Sequence, residues 1–251
     1  MDLFSLKDKV AVVTGGNSGL GQAFSLALAK AGAKILMPSI LEDGGETIAM
    51  IEESGSHGEV MIVDLAKDGG PRNIVDRCVE VYGSLDIVVN SAGICNLANV
   101  DKFDREQWDP MIAINLTAPF ELSHEASRVM IAQRSGKIIN VASLFSFLGG
   151  QQSPAYAATK HGLVGFTKAY CDELAKFNIQ VNAIAPGYFA TTITEQTRSD
   201  PATNQRVLDH IPAERWGDVA DLMGAVVYLA SRASDYVNGH VLVVDGGYLV
   251  R

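Results

Sequence analysis

Seven short apolar runs recur along the chain: Val10 to Thr14, Lys34 to Met37, Glu59 to Val63, Ile87 to Asn90, Lys137 to Val141, Gln180 to Ile184 and Val241 to Val244. Their apolar positions are continuous rather than alternating, the pattern of strands buried on both faces. Each connection has room for a helix, which is what parallel strands require. The pattern predicts an α/β fold: one doubly wound Rossmann-type domain over residues 1–251, a parallel seven-stranded sheet with helices on both faces. Gly44-Gly45, Gly69-Gly70-Pro71, Gly149-Gly150 and Gly246-Gly247 read as turns, because composition does not change across them. The polar stretch from Tyr188 to His210 contains Pro201 and breaks the alternation. It reads as a lid over a substrate site.

Charge narrows the partners. With 20 Lys and Arg against 29 Asp and Glu, the net charge is -9. That disfavours nucleic acid and membrane surfaces, which need concentrated cations, and leaves a small-molecule substrate as the expected partner. Residues 1–9 lack a basic region followed by an apolar core, and no apolar run is long enough to span a bilayer. Cys78, Cys95 and Cys171 are odd in number and unpaired in spacing, so neither a disulfide framework nor a zinc site is expected. The five histidines show no metal-ligand spacing. A reduced, cytoplasmic protein without a metal is the simplest account.

Candidate chemistry begins after the first strand. Thr14-Gly15-Gly16-Asn17-Ser18-Gly19-Leu20-Gly21 leads directly into a helical stretch. Glycines there would let backbone amides approach a pyrophosphate, which the helix N-terminus favours. A merely tight turn is the alternative. Asp64, beside Leu65 at the end of the third strand, could accept from an adenine amino group or simply cap a turn. Asn90-Ser91-Ala92-Gly93 closes the fourth strand with small residues, either for a cofactor or as a turn. After the second strand, Ser39 stands where an Asp would grip both ribose hydroxyls, yet no Lys or Arg awaits a 2′-phosphate and Glu42 lies nearby. NAD (NADH) is therefore expected, with NADP the lesser alternative.

The second centre of chemistry is Ser143 with Tyr156 and Lys160. Residues four apart share a helix face, so the Lys160 ammonium can stand beside the Tyr156 phenol. Positive charge there would lower a phenol pKa that is ordinarily about 10, and Ser143 could hydrogen-bond the substrate oxygen. An exposed helical pair is the alternative for Tyr156 and Lys160 alone.

In order and over essentially the whole chain, the Gly15-Gly19-Gly21 loop, Asn90-Ser91-Ala92-Gly93, Asn115, Ser143, Tyr156 with Lys160, and Pro186-Gly187 resemble the short-chain dehydrogenase/reductase family. The resemblance implies an NAD-dependent oxidoreductase interconverting a ketone and a secondary alcohol, with Tyr156 as acid/base. It implies that Asn115 helps hold a water-mediated proton relay with Lys160, and that Lys160 binds the nicotinamide ribose. Pro186, Gly187, Phe189 and Thr191 would border the nicotinamide, and family members are usually homotetramers. Trp216 and Tyr248 would pack at a subunit contact or in the core. The cofactor set is then Gly15, Asn17, Ser18, Gly19, Leu20, Gly21, Ser39, Asp64, Leu65, Asn90, Ala92, Gly93, Tyr156, Lys160, Pro186, Gly187, Phe189 and Thr191.

Within the family, 182–188, 211–217, 234–239 and 244–247 are similar to the branch that reversibly reduces a keto-deoxy sugar acid in uronate breakdown. Two arginines which that branch tends to carry after the fourth strand are replaced by Cys95-Asn96-Leu97. Cys95, Asn96, Gln151 and Gln152 are the candidate substrate contacts, and they suit hydroxyls or a neutral carbonyl. Another polyol or sugar ketone, a 3-oxoacyl carrier-protein substrate, or a non-catalytic nicotinamide sensor are the alternatives.

Overall fold

A computed structural model describes residues 2–251. Seven strands form one sheet: β1 (Val10–Val13), β2 (Lys34–Ser39), β3 (Gly58–Ile62), β4 (Ile87–Asn90), β5 (Gly136–Val141), β6 (Ile179–Pro186) and β7 (Val241–Val244). Their order is β3-β2-β1-β4-β5-β6-β7, and every neighbouring pair is parallel. The expected seven-stranded parallel sheet is therefore present, with strand ends displaced by a residue or two. The order reverses between β1 and β4, where Val12 pairs with both Leu36 and Val88. A crevice opens at such a switch point, outside the carboxyl ends of the strands.

Side-chain alternation along β1 sends Ala11 and Val13 to one face and Val10 and Val12 to the other. The first face packs on α1 (Gly19–Lys30), α2 (Glu46–Glu53) and α9 (Met223–Ala230), with Phe24, Leu28, Ile51 and Val226 filling the space. The second packs on α3 (Gly70–Tyr82), α5 (Ala118–Gln133) and α6 (Pro154–Leu174) through Ile74, Cys78, Leu122, Met130 and Leu174. Helices thus cover both faces, which is why the strand sequences are largely apolar.

Before α5 runs α4 (Arg105–Ile112), started by a reciprocal cap between Asp104 and Gln107. A wider π-helical turn at Ala113–Thr117 joins the two and carries Asn115. Pro119 follows it and has no N–H for the carbonyl four residues back, that of Asn115, so a regular turn cannot be completed there. The polar segment 188–210 holds two short helices, α7 (Glu195–Ser199) and α8 (Pro201–His210). Pro201 does not interrupt helix; it starts one, behind an Asp200 side chain that accepts from the Thr203 amide.

One buried polar chain crosses the sheet. Asn90 Nδ2 donates to Asn140 Oδ1 at 2.8 Å and to Ser123 Oγ at 3.0 Å, and Asn140 Nδ2 donates to Thr167 Oγ1 at 2.9 Å. It ties β4 and β5 to α5 and α6 at the edge where the loops emerge. Asn140→Ala strands a donor and an acceptor in the core and should lower unfolding free energy by about 2–4 kcal/mol. Urea denaturation checks this, and a loss below about 1 kcal/mol would show that the chain is not a structural tie.

Candidate active site

The first β-to-α turn is built by close backbone approach. Gly15 adopts φ +63° and donates its N–H to Pro38 O at 2.8 Å. A Cβ at Gly21 would collide with the Gly15 carbonyl, so the turn closes only around glycine. At Gly19, φ is +51° and the space a side chain would enter is open. Ser18 precedes α1 without using its hydroxyl as a cap, leaving the first amides of α1 without a side-chain partner. That is a cradle for an anion, and these residues fit a dinucleotide pyrophosphate. Asn17 is buried, its Nδ2 donating to Leu41 O at 2.8 Å while its Oδ1 has no partner.

Thr14 links this turn to the next. Its Oγ1 accepts from the amides of Ser91 and Ala92, both at 3.0 Å, so the end of β4 lies against the end of β1. Thr14, Leu65, Asn90 and Ala92 border one small hollow. Asn90 reaches it with an unpartnered Oδ1, its Nδ2 being held in the buried chain. Asp64 closes a local turn by accepting from the Ala66 amide at 3.0 Å. Ser39 is buried at the end of β2, its Oγ accepting from Leu41 N at 3.0 Å.

At the end of β5, Ser143 Oγ accepts from Phe145 N at 3.2 Å, in the turn that faces the Tyr156 phenol. Ser146 Oγ donates to the Lys160 carbonyl at 2.8 Å, so the β5 turn and α6 hold a fixed distance. Lys160 is buried, with Nζ 5.4 Å from the Tyr156 ring centroid and donating to Val141 O at 2.6 Å. Phe145 meets the Tyr156 ring edge-on. The buried Asn115 side chain binds both backbone groups of Ile94, accepting at 2.9 Å and donating at 2.8 Å. It thereby fixes the loop that follows Gly93.

Burial pushes the Tyr156 phenol up to about 12, reinforced by Cys95 and opposed by the nearby Ser143 hydroxyl. Burial also pulls Lys160 down to about 8, opposed by Cys95. The sequence suggested that Lys160 would draw the phenol downward. Within the chain, desolvation outweighs that attraction, because both groups leave water together.

The loop candidates are less open than the sequence implied. Cys95 Sγ lies 3.6 Å from Ser153 Oγ, which donates to Asn96 O at 2.9 Å. Gln152 donates to Asn99 Oδ1 at 2.8 Å, and its carbonyl accepts from Ala98 N. These bonds stitch the two loops together beside Tyr156; Gln151 remains exposed. At the end of β6, Pro186 pairs with Val244 and Gly187 packs on Asp245, while the Phe189 ring is buried against Gly217. The Phe189 side chain therefore belongs to the core. Thr191 N donates to Thr194 Oγ1 at 3.0 Å, opening the segment that leads to α7. Trp216 and Tyr248 both pack on Tyr188 within the chain.

Thr14 and Ser146 act in the site without having been singled out from sequence. The Ser-x-x-Ser spacing of 143 and 146 was a signal for the second, since it forms a reciprocal cap. A cavity of about 450 Å³ opens at the opposite, amino-terminal end of the strands among Lys9, Asp86, Lys137 and Asp235, and none of the site residues lines it. Among the described residues there is no cluster of three His, Cys, Asp or Glu suited to a metal, and no helix long and apolar enough to cross a membrane.

A doubly wound sheet with a glycine cradle and a Ser-Tyr-Lys group at one edge defines a nicotinamide-binding oxidoreductase. The chain belongs to the short-chain dehydrogenase/reductase family. A family model described as enoyl-(acyl carrier protein) reductase matches residues 15–249. The chain is 67% identical to the uncharacterized oxidoreductase YgcW of Escherichia coli K12, covering 100% of this chain and 96% of that one. It is 46% identical to the 2-dehydro-3-deoxy-D-gluconate 5-dehydrogenase of the same strain, covering 100% and 99%. A solved gluconate 5-dehydrogenase from Burkholderia cenocepacia J2315, in complex with NADP and tartrate, superposes with a TM-score of 0.95 at 36% identity over 100% of this chain and 98% of that one.

The depressed value of Lys160 sets a pH dependence. Between about 8 in the folded chain and the ordinary 10.5, the unfolded chain binds more protons, so this group's contribution to stability rises with pH across that window. Wild type should therefore gain stability relative to Lys160→Met between pH 8 and 10, read as the difference in urea midpoints. A difference that stays flat with pH would mean that Lys160 is not desolvated.

Proposed function

We propose that the chain is an NAD(H)-dependent oxidoreductase that interconverts a ketone and a secondary alcohol on a keto-deoxy sugar acid. The observation that carries the reading is the buried Lys160 ammonium, 5.4 Å from the Tyr156 ring, beside the turn that carries Ser143 at the carboxyl edge of the sheet. The substrate class follows the 46% identity to a 2-dehydro-3-deoxy-D-gluconate 5-dehydrogenase.

In the direction of reduction, Ser143 Oγ donates to the substrate carbonyl oxygen and holds it against Tyr156. Tyr156, protonated below about 12, delivers its phenolic proton to that oxygen as it becomes an alcohol. Lys160 stabilises the phenolate left behind, and in oxidation the same phenolate takes the proton back. Asn115, in the widened turn before Pro119, would help hold a water that relays protons to Lys160. The cofactor, when bound, supplies or accepts the hydride. Gly15, Ser18, Gly19 and Gly21 would hold its pyrophosphate, Ser39 its adenosine ribose, and Lys160, Pro186, Gly187 and Thr191 its nicotinamide end.

Cofactor choice rests on charge. Residues 38–53 contain five carboxylates, Glu42, Asp43, Glu46, Glu52 and Glu53, and no Lys or Arg. A 2′-phosphate would meet repulsion there and no cation. NAD(H) is the preferred partner on that ground, although the Burkholderia relative holds NADP. The chain acts as one domain, with 188–210 as its lid. Its three free cysteines suit a reducing cytoplasm. Phe120, 46% exposed, meets Phe166 and Tyr170 in an aromatic face on α5 and α6, and β7 is a half-buried apolar edge. Both surfaces suit further copies of the chain in a homotetramer.

Absorbance at the reduced nicotinamide band, with keto-deoxy sugar acids, neutral sugar ketones and an acetoacetyl thioester, tests the reading. NADH should outperform NADPH, the sugar acid should outperform the others, and Tyr156→Phe should lower kcat by about 100-fold or more. Turnover confined to neutral ketones or to the thioester would move the substrate class. NADH binding without turnover would make the chain a sensor. Light scattering on the eluted protein should give four chains; a monomer would leave the aromatic face for another use.

A further inference from the structure

A sugar acid brings a carboxylate into the site, and the two loops beside Tyr156 have nothing to meet it. Residues 94–99 and 144–153 contain no Lys or Arg. The Lys160 ammonium is buried and already donates to Val141 O. Arg215, farther along the same edge, is neutralised by Asp221 through two bonds of 2.7 and 3.1 Å.

Among the described residues, two cations of segment 188–210 form no ion pair: Arg206, which is exposed on α8, and Arg198, whose guanidinium is partly buried. Arg198 lies on α7, in the segment that leaves the carboxyl end of β6, next to β5, whose following turn carries Ser143. It forms no ion pair: Glu195, one turn earlier, does not reach it, and Asp200 accepts from the Thr203 amide instead. One terminal nitrogen, Nη2, donates to Thr191 O at 3.1 Å, which anchors the guanidinium at the root of the segment. Its Nε is buried and has no acceptor. A guanidinium offers five N–H donors in a rigid fork that matches a carboxylate edge to edge. A buried donor without an acceptor is unfavourable unless a ligand or water supplies one.

We propose that Arg198 is the specificity-determining residue that binds the substrate carboxylate, offering Nε and a free terminal N–H to its two oxygens. The assignment rests on the sugar-acid reading above. It places charge recognition on segment 188–210 rather than on the loops beside Tyr156. The same fork would suit a cofactor phosphate, and the experiment separates the two.

Steady-state kinetics with NADH on a keto-deoxy sugar acid and on a neutral sugar ketone are compared for wild type, Arg198→Gln and Arg198→Lys, with the Kd of NADH from fluorescence quenching. Arg198→Gln should raise KM for the acid about 10- to 100-fold, leave KM for the neutral ketone and the Kd of NADH within about twofold, and leave the melting temperature unchanged. Arg198→Lys should restore part of the loss, because charge remains while the fork is gone. An unchanged KM for the acid overturns the clamp. So does an equal rise for acid and neutral ketone, which marks a structural role, or a weaker NADH Kd of the same size, which marks a phosphate contact. If wild type turns over no sugar acid, the proposed reaction fails and the clamp with it; if it does and the acid-to-neutral KM ratio survives in Arg198→Gln, the clamp fails alone.

Discussion

Parallel strands pair only if each returns to the same end of the sheet before the next begins. In this chain that constraint forces six crossovers, so every turn leaving a strand's carboxyl end emerges at one edge. Gly15 after β1, Asn90 to Gly93 after β4, Ser143 after β5 and Pro186-Gly187 after β6 become neighbours although the sequence spreads them over about 170 residues. Burial of both sheet faces makes this edge rigid. Without that rigidity, hydrogen bonds such as Thr14 to the Ser91 and Ala92 amides would have no fixed partners.

The edge is stiffened again by polar groups kept out of water. Asn90, Asn140, Ser123 and Thr167 satisfy one another between the strands and the helices behind them. Asn115 performs the same task for the loop after β4, by binding both backbone groups of Ile94 from a widened helical turn. Such groups are unfavourable to bury singly and strongly ordering when all their bonds are made. The consequence for chemistry is a phenol and an ammonium held side by side in a desolvated place. Their values move apart, the phenol up to about 12 and the ammonium down to about 8, because burial favours the neutral form of each. A proton donor that stays protonated at neutral pH, next to a base of moderate strength, suits transfer to a carbonyl oxygen.

Strand positions and the candidate site motifs were legible in the sequence for local reasons. A strand covered on both faces is apolar along most of its length, so β1 and β4 can be read within a residue of their ends, and the all-valine-and-leucine β7 edge is read equally well. The Gly15-Gly19-Gly21 turn reads locally because its φ values and close approaches admit little else. The Tyr156–Lys160 pair reads locally because helical periodicity alone sets it on one face. Segment 188–210 was harder: its two short helices are amphipathic over too few turns for their spacing to stand out, and Pro201 marks a start as readily as a break.

Sequence by itself determined the sheet, the glycine turn and the identity of the Ser-Tyr-Lys group, since each is set by residues close together in the chain. Tertiary structure alone decided which polar groups are free. Across two loops the Gln152 side chain is taken up by Asn99, and the Ser153 hydroxyl by the Asn96 carbonyl. Arg198, unremarkable in a polar stretch, is left with a buried nitrogen and no acceptor. Hydrogen-bond satisfaction depends on partners brought from distant parts of the chain, and burial depends on everything packed around a group. Local pattern carries neither, because both are sums over contacts that exist only once the chain has folded.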